Sequence, residues 1–293
     1  MRYVQLRAFH YVATCGGFSR AAEALFLTQP AISDQVRKLE DEYDVILFNR
    51  HKKQVSLTRA GERLLKITRK LFEVESQALE LLSESRALRS GLLRIVADSA
   101  NHLSKILGRF RERYPGIELI LQAGNSEEVL NKLYNYEADV GVLGAFKGNR
   151  DFETVRLNSS PLIAFAAAGH PLAGRRSIPL SELVAAPLVL RERGSKTRQK
   201  FEDAATKRGL HVTVAIEAEG REAVREIVAA GSGIGVVSRA EFFSHSGLVP
   251  IEIDDCRIMM DEDLVCLKDR NSGKLIRAFL DVAREEAGTP VEA

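Results

Sequence analysis

Tryptophan is absent from the 293 residues, aromatic side chains make up only 6%, and there are three cysteines and eight prolines. Cys15, Cys256 and Cys266 are too few and too scattered for a disulfide framework, and no two stand at metal-ligand spacing. The longest run without Asp, Glu, Lys or Arg goes from Leu157 to Gly174 and contains Pro161, His170 and Pro171, which excludes a membrane-spanning helix there. Arg2 and Arg7 are followed by no apolar core, so no signal-peptide pattern is visible and a cytoplasmic location is expected. Hydrophobic residues at 45% and charged residues at 28% exclude a chain that is disordered throughout. The length suggests two or three domains with sizeable cores.

Motifs for catalysis are missing as well. The sequence has no G-x-S-x-G elbow, no phosphate-loop lysine motif and no H-E-x-x-H. Six histidines (His10, His51, His102, His170, His211, His245) include no pair at helical ligand spacing. Gly231-Ser-Gly-Ile-Gly235 follows a helical pattern and precedes a strand, the reverse of the dinucleotide-binding order, and reads as a helix stop with a tight turn. No catalytic group, metal or cofactor is expected. Cys256 and Cys266 flank a strand-like segment and read as packing residues, with a redox switch as the alternative.

What is present begins with uneven charge. Residues 1–70 hold 13 Lys/Arg against 7 Asp/Glu, a net of +6, while the rest of the chain is net −4. A basic head on an acidic body points to a polyanion partner. Within that head, Val4, Leu6, Phe9, Val12 and Ala13 have helical spacing, and Gly16-Gly17 ends the helix. Ser19 reads as the cap of a short second helix, which also carries Arg20. Thr28 caps a third, with Pro30 in its first turn. Ile32, Val36, Leu39 and Tyr43 form the expected buried stripe of this third helix. Gln29, Ser33 and Arg37 lie on another face, flanked by Asp34 and Lys38. Short polar and basic groups at the start of a capped helix suit reading of the DNA major groove. Residues 47–58 read as two short strands around a basic tip. There Arg50, Lys52 and Lys53 would meet phosphates, which position a protein without reading sequence.

The strings Phe18-Ser-Arg-Ala-Ala-Glu-Ala-Leu25, Thr28-Gln-Pro-Ala-Ile-Ser-Asp-Gln-Val-Arg-Lys-Leu-Glu40, Leu47-Phe-Asn-Arg50 and Leu57-Thr-Arg-Ala-Gly61 resemble the LysR-type transcriptional regulators. The resemblance implies a base-reading helix over Gln29 to Lys38, with Gln29, Pro30 and Ser33 nearest the DNA. Asp34 departs from the basic or small polar residue often found at its position. It could accept from a cytosine amino group or pair with Lys38.

From Thr58 to about Arg89 no proline occurs. Leu64, Ile67, Leu71, Val74, Ala78 and Leu81 alternate at spacings of 3 and 4, with Ser85 weakening the seam and Leu88 resuming it. This is a two-helix seam, and a dimer would present two reading heads to a dyad-symmetric promoter site. The remainder alternates strand and helix. Strands are expected at 92–97, 117–122, 138–143, 162–167, 187–190, 212–217, 234–237 and 258–267. Helices are expected at 101–114, 127–134, 197–208, 221–230 and 274–286, and the sheet should be mainly parallel.

The fold expected is α/β: an N-terminal winged helix-turn-helix (1–58), a long linker helix (59–90) and a C-terminal sensor domain (91–293). The family resemblance implies that the sensor is two-lobed and like a periplasmic binding protein, with lobe one at 91–160 plus 264–293 and lobe two at 161–263. Ligands in such folds bind between lobes, at strand C-termini and helix N-termini. The junctions supply Ser99, Asn101 and His102, then Asn125 and Ser126, then Ser195, Lys196, Thr197 and Arg198, then Glu219 and Arg221. Three cations among hydroxyls and amides suit a small anion.

Met1-Arg-Tyr-Val-Gln-Leu-Arg-Ala-Phe-His10, Gly124-Asn-Ser-Glu-Glu-Val-Leu130 and the segments 221–226 and 235–238 further resemble a LysR subgroup associated with 2-aminoethylphosphonate catabolism. The reading is therefore a DNA-binding regulator, a homodimer or homotetramer, that senses a small anion such as 2-aminoethylphosphonate and contacts RNA polymerase if it activates. The alternatives are a DNA-tethered α/β enzyme and a DNA-binding protein with no effector.

Overall fold

The computed structural model describes residues 1–51, 54–82, 90–243, 247–271 and 273–288. Its contacts divide the chain into two units, Met1–Ser83 and Glu84–Ala293. In the first, helix α1 (Tyr3–Cys15) buries Leu6, Phe9 and Val12 and ends at Gly16 in the left-handed region. Val4, expected in that stripe, is exposed. Helix α2 (Phe18–Ala24) starts two residues earlier than expected. Gly17 flanks its start, so Ser19 lies inside the helix, exposed, and is not its cap. Helix α3 (Gln29–Tyr43) buries Ile32, Val36 and Leu39 against α1 and α2. Tyr43 is 52% exposed rather than closing the stripe, because the helix ends there and Asp44 turns the chain at φ 48°.

Strands β1 (Phe48–His51) and β2 (Gln54–Leu57) pair antiparallel, with Phe48 opposite Leu57 and His51 opposite Gln54. The Phe48 ring packs against Phe9 at 5.3 Å and Phe18 at 5.7 Å. Glu40 on α3 accepts from the Leu47 and Phe48 N–H groups, which ties the hairpin to the helices. Helix α4 (Arg59–Leu82) follows at once. A Cβ at Gly61 would sit 2.2 Å from the Leu47 carbonyl oxygen, so only glycine allows this approach. Leu65 and Thr68 of α4 are buried, whereas Ile67, Leu71, Val74 and Ala78 of the expected seam are exposed. Residues 83–89 of the expected linker lie outside the described residues, as does the hairpin tip Lys52-Lys53.

The second unit opens with β3 (Gly91–Ala97), a 3-10 turn (Asn101–Leu103), α5 (Ser104–Arg113), β4 (Ile117–Ala123), α6 (Ser126–Tyr134) and β5 (Val140–Gly144). Strand β6 (Phe152–Ala167) is next, then β7 (Ser177–Ile178), α7 (Leu180–Ala185), β8 (Leu188–Arg191) and α8 (Lys196–Thr206). It ends with β9 (Val214–Ala218), α9 (Arg221–Ala229), β10 (Ile234–Ser238), a 3-10 turn (Arg239–Glu241), β11 (Leu248–Ile253), β12 (Met259–Leu267) and α10 (Lys274–Ala287). The sheet order is β4-β3-β5-β12-β6-β10-β8-β9, with β11 also on β6.

Parallel pairs lie inside each lobe: β3 with β4 and β5, and β8 with β9 and β10. The pairs β12–β5, β12–β6, β10–β6 and β11–β6 are antiparallel, so the sheet is mixed rather than mainly parallel. Strand β6 explains this. It has 16 residues where a strand of six was expected. Its first part pairs with β12 and its end with β10 and β11, so one strand runs from lobe to lobe. Phe110, Leu264 and Phe279 centre the core of lobe one, and Phe201, Leu188 and Ile234 that of lobe two. Gly233 (φ 149°) fits the tight turn before β10, where a Cβ would meet the Pro187 carbonyl at 2.3 Å.

Candidate functional site

The start of α3 presents Thr28, Gln29 and Pro30 to solvent, with no side-chain cap bond from Thr28. Ser33 and Asp34 are half-buried one turn on, and Arg37 and Lys38 are exposed. Asp34 pairs with both: its Oδ2 is 2.6 Å from Lys38 Nζ and its Oδ1 is 3.0 Å from Arg37. The hydrogen bond from Lys38, then the added charge and the Arg37 bond, hold the Asp34 carboxyl below the usual carboxylate range. Ser19 and Arg20 are exposed on α2, and Arg20 donates to the Gly16 carbonyl. Arg50 lies on β1.

Between the lobes of the second unit, the N-termini of α6 and α8 meet across a cleft. Ser126, Glu127 and Leu130 line one wall; Arg193, Ser195, Lys196, Arg198, Gln199 and Glu202 line the other, around a cavity of about 550 Å³. It adjoins a second cavity of about 920 Å³, which shares Leu130, Lys196 and Gln199 and adds Lys147, Lys200, Lys207, Arg208 and Arg257. Asn125 accepts from the Glu127 and Glu128 N–H groups, and Glu128 accepts from Asn125 in return, a complete capping box. Ser195 flanks α8 without a cap bond. Its Oγ is buried with no hydrogen-bond partner among the described residues.

Two of the three expected anion-binding cations are already neutralised. Arg198 is 7% exposed and donates to Glu202 (2.8 Å), Glu217 (2.6 Å) and the Arg191 carbonyl (2.9 Å). Its neighbours on α8 and β9 are acidic, which makes it an internal brace. Arg221 lies 2.8 Å from Glu241 and 3.9 Å from Asp98. Among the described residues Lys196 donates to Gln199 and lines both cavities. Thr197 is buried, and Glu219 is exposed.

Around Arg221 and the expected His102 the structure gathers Asp98, Glu241 and Glu262, which sequence reading missed. Asp98 accepts from Ser126 and from the Gly144 N–H. His102 Nε2 is 3.1 Å from Glu241 Oε1 and 4.0 Å from Glu262 Oε1. Asn101 donates to the Ala240 carbonyl, and the Asn101 N–H donates to Ser99. Burial, then the charges of Asp98 and Glu241, pushes Glu262 up to about 10. Burial also raises Asp98. For Glu241 burial acts upward too, but the His102 hydrogen bond and the Arg221 charge outweigh it and the carboxyl is lowered. Asp98 and Glu241 both follow strands, at the junction type already singled out. The run Asp261-Glu-Asp263 inside an otherwise apolar strand was a further signal.

Burial pushes the Cys266 thiol up to about 12 and raises Cys256, the opposite of a reactive thiolate.

Residues 3–62 match the bacterial regulatory helix-turn-helix domain of the LysR family, and residues 86–288 match the LysR substrate binding domain. The chain belongs to the LysR family. This LysR-type protein is a DNA-binding transcriptional regulator with an effector-binding domain. It is 37% identical over 236 residues to a RuBisCO operon transcriptional regulator of Allochromatium vinosum, covering 80% of this chain and 78% of the relative. It is 34% identical to the transcriptional activator CmpR of Synechocystis, over the same shares. These relatives are regulators, not enzymes, which sets aside the DNA-tethered enzyme.

Among solved structures, a full-length OxyR variant from Pseudomonas aeruginosa shares the fold. Its TM-score is 0.80 at 23% identity, over 97% of this chain and 95% of that one. The regulatory domain of Synechocystis CcmR in complex with 2-PG matches with TM-score 0.62 at 28% identity, over 69% of this chain and 99% of that one. No helix among the described residues is long and apolar enough to cross a membrane.

Proposed function

We propose that this LysR-type regulator senses a small anion held between the N-termini of α6 and α8. The carrying observation is Ser195: a buried hydroxyl with no partner among the described residues, at a helix start that faces another helix start across a cavity lined by Lys196 and Arg193 as well as by Glu127 and Glu202. The aligned peptide dipoles of both helix ends favour negative charge, and α8, which has no side-chain cap, offers its first-turn N–H groups, whereas Asn125 already takes those of Glu127 and Glu128 on α6. Ser126, Ser195, Lys196 and Thr197 are the contacts, whereas Arg198 braces them from behind. In the DNA-binding head, Gln29, Pro30 and Ser33 read bases, and Arg50, Lys52 and Lys53 meet phosphate. The exposed apolar stripe Ile67, Leu71, Val74 and Ala78 pairs with a second copy, giving two heads for one dyad-symmetric site. The domains are a head at 1–58, a linker at 59–90 and a sensor at 91–293, acting in the cytoplasm.

The relatives reported above are named for RuBisCO operons and CmpR rather than for phosphonate catabolism. This favours genes of carbon fixation as the regulated set over the 2-aminoethylphosphonate assignment expected from the sequence. The CcmR complex favours 2-PG as the first effector to try. Thermal unfolding of the purified protein with 2-PG, 2-aminoethylphosphonate and inorganic phosphate tests both. A ligand at a hundred times its Kd adds about 2.7 kcal/mol of stability. Selective stabilisation by 2-PG supports the reading, and selective stabilisation by 2-aminoethylphosphonate restores the phosphonate assignment. No stabilisation by any of the three, in protein that still binds its promoter, removes the anion sensor.

A further inference from the structure

Three carboxylates and an imidazole converge between the lobes on the Arg221 guanidinium; Arg191, which also acts on Asp98, is itself paired with Glu192. Asp98, His102, Glu241 and Glu262 have side chains no more than 4% exposed, and the cation is Arg221. With the carboxylates ionised, the group holds two negative charges that Arg221 does not balance. Uncompensated charge at such depth is too costly to persist in a folded protein. The donors also lie within reach of one ion. One ligand atom each from His102, Glu241 and Glu262 falls within 4.8 Å of the other two. Independently of that spacing, Glu262 Oε2 is buried with no hydrogen-bond partner among the described residues.

We propose that His102, Glu241 and Glu262 bind a divalent transition-metal ion. An imidazole with two carboxylates suits Mn²⁺, Co²⁺ or Zn²⁺ better than Ca²⁺ or Mg²⁺, which take all-oxygen sets. The charges then close. Asp98 keeps Arg221, and the two glutamates face the dication. Glu241 exchanges its 2.8 Å contact with Arg221 for the metal. The ligands come from three places in the fold: His102 after β3 in lobe one, Glu241 after β10 in lobe two, and Glu262 on the crossing strand β12. An ion there ties the lobes together and favours one arrangement of them. The competing neutraliser is a proton on Glu262, which a metal must displace. The proposal stands apart from the identity of the anion.

The test uses the full-length chain, stripped with a chelator and titrated with CoCl₂, MnCl₂ and ZnCl₂ by calorimetry. The visible absorption of Co²⁺ reports coordination. The expected result is one ion per chain, a Co²⁺ ligand-field band and a raised unfolding temperature. His102→Gln and Glu262→Gln should each weaken binding by at least about tenfold and remove the band. Circular dichroism of both metal-free variants checks their folding, and either folded variant suffices. Absence of binding by all three ions overturns the proposal. So does binding that is unchanged in both variants, which places the ion elsewhere. A metal-free Glu262→Gln chain that is more stable than the parent, with no ion bound by the parent, assigns the neutraliser to a proton and likewise overturns it.

Discussion

Arg198 shows how a residue's partners, rather than its type, decide its role. At a helix start in a cleft it reads as an anion clamp, yet its donors already meet two glutamates and a carbonyl. Arg198→Ala should therefore lower stability by about 1–3 kcal/mol, because the buried Arg191 carbonyl loses its donor, whereas the exposed Glu217 is rehydrated. Urea unfolding without ligand measures this. An unchanged midpoint together with a lost effector response would return Arg198 to the anion site. His10 gives a pH prediction for the DNA-binding head. Burial, then the Arg69 charge, lowers it from 6.5 to about 4, and its Nδ1 lies 3.1 Å from Thr68 Oγ1. Between those values the unfolded chain takes up a proton that the folded head refuses. Stability is thus fully present above 6.5 and falls as pH drops towards 4. Solvent reaches part of the ring, so the loss is about 1–2 kcal/mol rather than the full shift. Thermal midpoints from pH 7 to pH 4.5 should fall in the parent and flatten in His10→Gln. Parallel curves would reject the assignment.

Helix α3 carries the next prediction. Asp34 holds Arg37 and Lys38, two cations that would otherwise face phosphate. Asp34→Ala should tighten binding to all DNA and steepen the salt dependence by about 0.9 for each new phosphate contact. A changed base preference with an unchanged salt slope would instead make Asp34 a base reader. At this scale much was legible: α1, α3, α5, α6, α8, α9 and α10 fall within a few residues of their expected positions, because each has an apolar stripe of helical period. The first part of β6 was not. Glu153, Arg156, Asn158, Ser159 and Ser160 interrupt the apolar alternation, and Pro161 resembles a stop. What fixes that segment as strand is β12, about a hundred residues away, which no local pattern reports. The acidic cluster was hidden for the same reason. Positions 98, 102, 221, 241 and 262 meet only once the two lobes have formed. Ligand spacing along one helix, the test applied to the histidines, cannot detect such a group.

For the whole molecule, an effector changes transcription only if it binds two states of the regulator with different affinity. Linkage then makes the effect reciprocal: the factor by which the effector changes promoter affinity equals the factor by which promoter DNA changes effector affinity. With 2-PG as the probe, both factors should agree and lie within about 5–150-fold. Fluorescence anisotropy of labelled promoter gives the first, and calorimetry of free and DNA-bound protein gives the second. Ser195→Ala separates this coupling from folding. The Ser195 hydroxyl makes no cap bond, so its removal should cost the fold less than a usual N-cap loss of about 1 kcal/mol. A hydrogen bond to an anion is worth about 1.5–3 kcal/mol, so 2-PG affinity should fall at least about tenfold while promoter affinity without 2-PG stays put. If Ser195→Ala lowers promoter affinity by itself, the hydroxyl supports the fold rather than the ligand. If the two coupling factors disagree, more than one effector binds per chain, and the six-cation cavity beside the cleft is where the second site would be sought.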